Sequence, residues 1–414
     1  MPKPTIGLWL IGAKGGVATT TILGLCALRK GLVAPWGLVS ELPQFAHLPL
    51  IRWADLLIGG HEIRSVRLAD EAARLVEESR AVDRTLVAAC QAELDRIDRR
   101  IRPGTVVNVC QTIERLAGAE VPRRESPQQA VRRVTQDLEE FARRNGLAHV
   151  IVVNVASTEP PVELASLPTR WAQLERLLDR PRRCPLRASA LYAIAALGLG
   201  FSYINFTPSV GSAPEAIDEL ARLRKTRHMG CDGKTGETLL KSVLAPMFAR
   251  RHLHVMSWVG HNIFGNMDGV VLSDPANKQA KLASKDHLVG RILGYKPQTH
   301  VSIEYIASLG DWKTAWDHVH FQGFLGTPMT LQFIWQGCDS LLAAPLVLDL
   351  VRFTELAWRR GETGRLTFLA SFFKSPYAVD EQDFTRQFQM LEAWAGQGTS
   401  VPSGGTSFPE SHPE

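Results

Sequence analysis

The chain has 414 residues, 45% hydrophobic and 21% charged, a balance that excludes wholesale disorder and points to more than one ordinary core. Its 47 Lys and Arg exceed its 42 Asp and Glu by only five; this does not imply nucleic acid, although it allows a local basic pocket for a phosphorylated metabolite. Six scattered cysteines without a CxxC pair argue against a zinc ribbon, a redox dithiol or a disulfide scaffold, and for a reducing, cytoplasmic setting.

The N-terminus shows no charged, apolar and small-residue series of a secretory signal. Ile6–Ile11 reads as an apolar strand ending in Gly12, and helical character then runs over 19–30 with Gly31 as its stop. A strand is expected at 36–40, which would complete the opening of a βαβ unit. Two charged amphipathic regions, 66–100 and 127–145, carry Leu, Ile, Val and Phe on an inner stripe. Near-continuous apolar runs at 105–109 and 149–155 read as strands covered on both faces, with Asn108 and Asn154 near their carboxyl ends. A helix at 188–198 and a strand at 203–206 follow, then a helix from Pro214 to about Arg227 with Ser212 as its expected cap. Beyond it, loops alternate with strands at 254–258, 299–306 and 329–335. The apolar stretch 341–358 contains Asp349, Arg352 and Glu355, so it reads as a core helix and not a membrane span. The Gly-, Ser- and Pro-rich end, 396–414, is expected to be disordered.

The turn GAKGGVATT at 12–20 follows a strand and opens a helix, where backbone N–H groups can hold a pyrophosphate. It lacks the strict GxGxxG spacing. It also resembles a deviant phosphate loop in which Ala18 and Thr19 replace the final glycine and lysine. Dinucleotide binding, an ATPase loop without its lysine and a purely structural turn all stay open from this segment. Glu41 and Glu62 are both candidates for the acid that meets a ribose.

The central region concentrates polar groups: Asp232 to Gly236, Asn262, Asn266, Asp268, Lys281, Lys285, Asp311, Lys313, Asp339 and Lys374. Lys281 and Lys285 share a helix face, where like charges repel unless they are solvated or face an anion. The runs NVASTE (154–159) and YINFTPS (203–209) present Asn, Ser and Thr at strand ends, where a nicotinamide would lie.

These runs, with WLIGAKGGVATT, CDGKTGETLLKSVL, NIFGNMDG, KLASK, SLGDWKTAWD, QGCDSLLAAPLVLDL and FFKSP, resemble the inositol-3-phosphate (myo-inositol-1-phosphate) synthase family of the shorter prokaryotic kind, from Ile6 to about Pro376. The resemblance implies an α/β fold. A Rossmann-like NAD-binding domain (1–202 and 339–395) would be interrupted by an inserted α+β catalytic and oligomerisation domain (203–338). It implies conversion of glucose 6-phosphate to an inositol monophosphate with recycled NAD, a homotetramer, and a monovalent or divalent cation as a possible activator. Neither nucleic acid nor membrane is implied as a partner.

By the same resemblance, catalytic positions fall on Asp232, Asp268, Lys281, Lys285, Asp311, Lys313, Asp339 and Lys374. Substrate contacts fall on Thr235, Gly236, Asn262 and Asn266, with Lys285 and Lys313 at the phosphate end. Cofactor contacts fall on Gly12, Gly15, Gly16, Thr19, Glu62, Ser157 and Thr158. This chain departs from relatives at Glu237 (many carry glutamine), at Glu304 (some carry lysine), at His61-Glu62 (a Trp-Asp pair) and at Met267 (asparagine). An ionised Glu237 beside the phosphate loop would repel substrate unless it turned away. The competing reading is an NAD-dependent sugar-phosphate oxidoreductase that does not cyclise, and a non-enzymatic NAD-binding protein is the third.

Overall fold

The computed structural model describes residues 6–265 and 288–397. Its larger sheet is built from β1 (Ile6–Ile11), β2 (Leu56–Glu62), β3 (Ile101–Pro103), β4 (His149–Asn154), β5 (Ser202–Asn205), β6 (Arg227–Gly230) and β11 (Gly364–Arg365). All seven strands are parallel, in the order β11-β6-β5-β4-β1-β2-β3. The strand order reverses between β1 and β4, and in such sheets the crevice at that switch point is where a dinucleotide lies.

Period-two alternation explains why the strands read as unbroken apolar runs. Ile6, Leu8 and Leu10 of β1 enter one core; Trp9 and Ile11 enter the other. The first core packs against α1 (Gly16–Arg29), α2 (Leu68–Ser79), α3 (Arg84–Asp98) and α10 (Asp339–Arg359). The second packs against α5 (Pro127–Asn145), α6 (Trp171–Leu178), α7 (Ala188–Gly198) and α8 (Glu215–Leu223); α4 (Gln111–Leu116) is a short outlier. The bounds of α5 follow local chemistry. Ser126 and Gln129 form a reciprocal capping box, Pro127 occupies the first turn, and Gly146 closes the helix at φ 57°.

A second, four-stranded sheet has the order β10-β9-β7-β8, from β7 (His254–Phe264), β8 (Gln298–Tyr305), β9 (Trp312–Gln322) and β10 (Pro328–Cys338). Its inner face covers α9 (Gly236–Arg250) through Phe248, Trp258, Val319 and Phe321. The chain then returns through α10, which packs on α1, and through α11 (Phe384–Gly396). Trp312 Nε1 donates to Ser79 O at 2.6 Å, joining the start of β9 to the end of α2.

Several expectations change. The boundary expected at 203 falls inside the large sheet, because β5 and β6 hydrogen-bond to β4 and to each other. The second sheet therefore begins only at His254. Segment 36–40 is a turn leading into a short 3-10 helix whose Val39 and Ser40 N–H groups donate to buried Asp349; the next strand waits until Leu56. Segment 105–109 is irregular. Its Asn108, at φ 56°, spends its amide on the Cys184 and Leu186 carbonyls and does not face a ligand crevice. Pro214, not Ser212, caps α8, since the Ser212 hydroxyl is held by His228. No helix among the described residues is long and apolar enough to cross a membrane. The expected tail beyond Gln397 lies outside the described residues, as do Asn266, Met267, Asp268, Lys281 and Lys285.

Candidate active site

The glycine turn sits at the carboxyl end of β1. Gly12 adopts φ 78°, and a Cβ there would come within 2.8 Å of the Ala156 backbone, so only glycine lets the two strand ends close on each other. Gly15 and Gly16 start α1, whose first N–H groups face the crevice with no acid in the first turn. Lys14 does not serve a phosphate loop. Its ammonium is 2.9 Å from Asp98 and also donates to Val66 O.

Glu62 closes β2, the strand beside β1, and is buried. One carboxylate oxygen accepts Lys14 N–H at 2.9 Å, and the other accepts Ile63 N–H at 2.8 Å and Arg64 N–H at 3.0 Å. Glu41 instead pairs with Arg352 at 2.6 Å on the 3-10 turn packed against α10, so of these two acids Glu62 is the one that lines the crevice.

A cavity of about 470 Å³ runs from this turn to the second sheet. Gly12, Gly15, Gly16, Thr19, Glu62, Ser157 and Thr158 all line it. So do Asp232, Thr235, Asp311, Lys313, Asp339 and Lys374 at its other end. Gly236 and Asn262 fall outside the lining: Gly236 lies against the Trp335 indole, and Asn262 is buried within β7.

The far end is assembled from three distant segments. Strap 372–375 is zipped onto loop 231–234: Lys374 N–H donates to Asp232 O at 2.7 Å, and Lys234 N–H to Phe372 O at 2.8 Å. Lys374 Nζ then reaches Asp232 Oδ1 at 2.8 Å. Burial alone would lower this ammonium, but Asp232, with Asp339 and Glu237 further off, outweighs it, so its pKa is raised and it stays charged. Asp232 itself holds a left-handed backbone (φ 61°), a strained conformation for a non-glycine residue. From the third segment, Lys313 Nζ lies 4.0 Å from Asp339 and 5.8 Å from the centre of the Phe264 ring. Asp311 accepts from the Cys338 thiol at 2.8 Å and from Ser340, and burial raises its pKa.

Glu237 turns away from the cavity. It pairs with Lys241 at 2.5 Å, and Lys241 also contacts Asp317 at 3.2 Å, so the feared repulsion is absent. His61 is buried too, accepting from Trp9 Nε1 at 2.9 Å.

The donor set fits a dinucleotide beside a polar substrate. Thr19 Oγ1, Thr158 Oγ1 and Asp232 Oδ2 are buried side-chain atoms of the lining with no partner among the described residues. No group of three or more His, Cys, Asp or Glu among the described residues could hold a metal ion.

Sequence reasoning missed the charged rim near Glu62: Arg64, Glu71, Arg74 and Glu78. The last three follow helical spacing on α2 and read there as a solvated face. It also missed Ser340, whose neighbour Asp339 drew attention, and gave no role to Glu159 at the end of the 154–159 run, whose carboxylate accepts Ser189 N–H at 2.9 Å.

A family profile described as myo-inositol-1-phosphate synthase, and as NAD-binding, matches residues 6–395. Inositol-3-phosphate synthase 1 of Bacteroides thetaiotaomicron is 32% identical over 412 residues, covering 94% of each chain. The Rattus norvegicus protein of the same name is 31% identical over 420 residues, covering 90% of this chain and 74% of its own. The crystal structure of inositol-3-phosphate synthase from Caenorhabditis elegans superposes with a TM-score of 0.84 at 23% identity, over 97% of this chain and 90% of that one, and shows the same fold. The parallel sheet, the glycine turn and these matches together establish that the chain belongs to the NAD-binding myo-inositol-1-phosphate synthase family.

Proposed function

We propose that the chain cyclises D-glucose 6-phosphate to 1D-myo-inositol 3-phosphate without net redox. The carrying observation is one cavity lined at one end by a nucleotide turn and at the other by two lysines, each beside a carboxylate. Bound NAD would accept a hydride from C5 of the open-chain sugar and return it after ring closure. Gly12, Gly15, Gly16 and Thr19 would hold the pyrophosphate, Glu62 the ribose, and Ser157 with Thr158 the nicotinamide end. Thr235 precedes the first turn of α9, so the helix N-terminus would receive the sugar phosphate, with Gly236 supporting that turn and Lys313 adding a cation.

Once C5 is a ketone, its C6 protons are acidic, and loss of one gives an enolate that attacks the C1 aldehyde. Lys374, kept cationic by Asp232, would stabilise oxyanions developing at C5 and C1. Lys281 would move the proton at the C5 oxygen, and Lys285 would share the phosphate, with Asn266 and Asp268 beside them, as the family resemblance implies. Asn262, buried within β7, would act only by supporting the segment that follows it. Asp311 and Asp339 would orient Lys313 and the substrate hydroxyls. The substrate phosphate can itself take the C6 proton, so no protein base is required there.

The chain would act as a cytoplasmic homotetramer. One face of the second sheet supports assembly, for it leaves Ile334 exposed beside Trp316 and His261. Light scattering on the purified protein tests this directly. For the activity, glucose 6-phosphate with catalytic NAD should yield periodate-sensitive inositol phosphate, with and without added K⁺, NH₄⁺ or Mg²⁺. Stoichiometric NADH with no cyclised product would overturn the reading.

A further inference from the structure

The end of the cavity beside Glu62 holds an arginine that the proposed reaction does not use. Arg64 lines the cavity two residues after Glu62. Its Nε and Nη2 each lie 3.4 Å from the Glu62 carboxylate, its Nη1 lies 3.2 Å from Glu71, and Nη2 also donates to Lys14 O. Arg74 stands behind it, bound to Glu71 at 2.7 Å and to Glu78 at 2.9 Å. We propose that Arg64 is a masked receptor for the 2′-phosphate of NADP, and that Glu62 and Glu71 keep it closed and thereby set the chain's preference for NAD.

Glu62 is fixed, because three backbone N–H groups grip its two oxygens. It can accept a bond from a ribose hydroxyl, but it cannot swing aside for a phosphate dianion. Three carboxylates (Glu62, Glu71, Glu78) face two guanidiniums (Arg64, Arg74) at this end, so the local balance is one negative charge. Lys14 cannot compensate, since its ammonium is committed to Asp98 and Val66 O. Arginine is nevertheless the side chain that best matches a phosphate's geometry, through its planar fork of donors. Discrimination here therefore comes from neutralising a cation already in place. Glu62→Gln removes the charge facing the ribose and brings the balance to zero. Adding Glu71→Gln leaves the guanidinium without either of its charged partners, held only by neutral acceptors such as Lys14 O.

This inference rests on the reading that Glu62 meets the adenosine ribose. Its test is equilibrium binding of NAD and of NADP to the full-length chain freed of nucleotide, followed by calorimetry. The parent should bind NAD with clear preference. Glu62→Gln should weaken NAD and strengthen NADP, each by about tenfold, the scale of one charge-assisted hydrogen bond. The Glu62→Gln, Glu71→Gln double variant should go further toward NADP. Adding Arg64→Gln to Glu62→Gln should cancel the NADP gain, while Arg64→Gln alone should keep the NAD preference. If Glu62→Gln still binds NAD and melts as the parent does but gains nothing for NADP, the inference is overturned and the nucleotide site stands. An NADP gain that survives the addition of Arg64→Gln overturns it equally. If the parent binds neither nucleotide, the underlying reading falls first.

Discussion

Two lysine–carboxylate clusters flank the Thr235-Gly236 turn, and they differ in almost everything but composition. On one side Lys374 pairs with Asp232 at the cavity wall, and the second Asp232 oxygen has no partner among the described residues. On the other, Lys241 is shared between Glu237 and Asp317, and the Trp258 indole N–H donates to Asp317 at 2.7 Å. The second cluster is sealed: a Cβ on Gly260 would come within 3.0 Å of atoms of all three charged residues. Burial pushes the Asp317 carboxyl up, with Glu237 adding to the rise against the pull of Lys241. Burial works against the Lys241 ammonium, yet its two acids keep its pKa raised. The same residue types can thus meet a ligand where a face is open, as we propose for Lys374 in catalysis, and only hold the architecture where every face is covered.

The largest effect should come from the sealed cluster. Lys241→Met leaves two buried carboxylates without their shared cation and should cost about 3–5 kcal/mol of stability in urea unfolding. A loss below about 1 kcal/mol, the scale of an exposed pair, would break the comparison. Lys374→Met also strips the cation from a buried carboxylate, but from one at the cavity wall, so it should cost less stability than Lys241→Met while lowering kcat about 100- to 1,000-fold, as loss of one oxyanion donor does. Retained turnover would remove Lys374 from the chemistry.

Lys234, two residues beyond Asp232 and bonded to Gln387, sharpens the contrast through pH. Burial, then the nearby Lys374 ammonium, lowers its pKa from 10.5 to about 7. Between those values the unfolded chain carries a proton that the folded chain lacks, so this group makes stability rise with pH across that window. Lys234→Met should remove that contribution, giving a flatter stability profile from pH 7 to alkaline pH than the parent's. Superimposable profiles would refute it. The smallest effect is expected from Glu237→Gln. Its carboxylate does not line the cavity, so KM for glucose 6-phosphate should change less than about threefold, well within the tenfold that 1.4 kcal/mol would produce. A larger change would place Glu237 at the phosphate after all.

The nucleotide half was legible because its signals are local. A strand ending in Gly12, the apolar stripe of the helix over 127–145 and the apolar runs of β1 and β4 each announce themselves within a few residues. The same local logic misled where tertiary partners intervene. Residues 36–40 look extended, yet Asp349, more than 300 positions away, holds the backbone N–H groups of Val39 and Ser40 in a turn. Residue spacing left Glu62 and Glu41 level; the family resemblance chose Glu62, and the pairing of β2 with β1 is what sets it at the crevice.

What remained hidden was which charges meet. Residue types and spacing sufficed for the parallel sheet, the glycine turn and the family's motif runs, since backbone geometry and side-chain periodicity act over short distances. The pairing of Lys374 with Asp232 joins segments 142 positions apart. Glu237 and Lys241 lie one helical turn apart and the carboxylates on Arg64 lie two and seven residues from it, yet whether each turns to its neighbour or to the cavity is decided by the packing around them. Electrostatic partnership is set by distances of a few ångströms and by the exclusion of water, and only the folded packing fixes both.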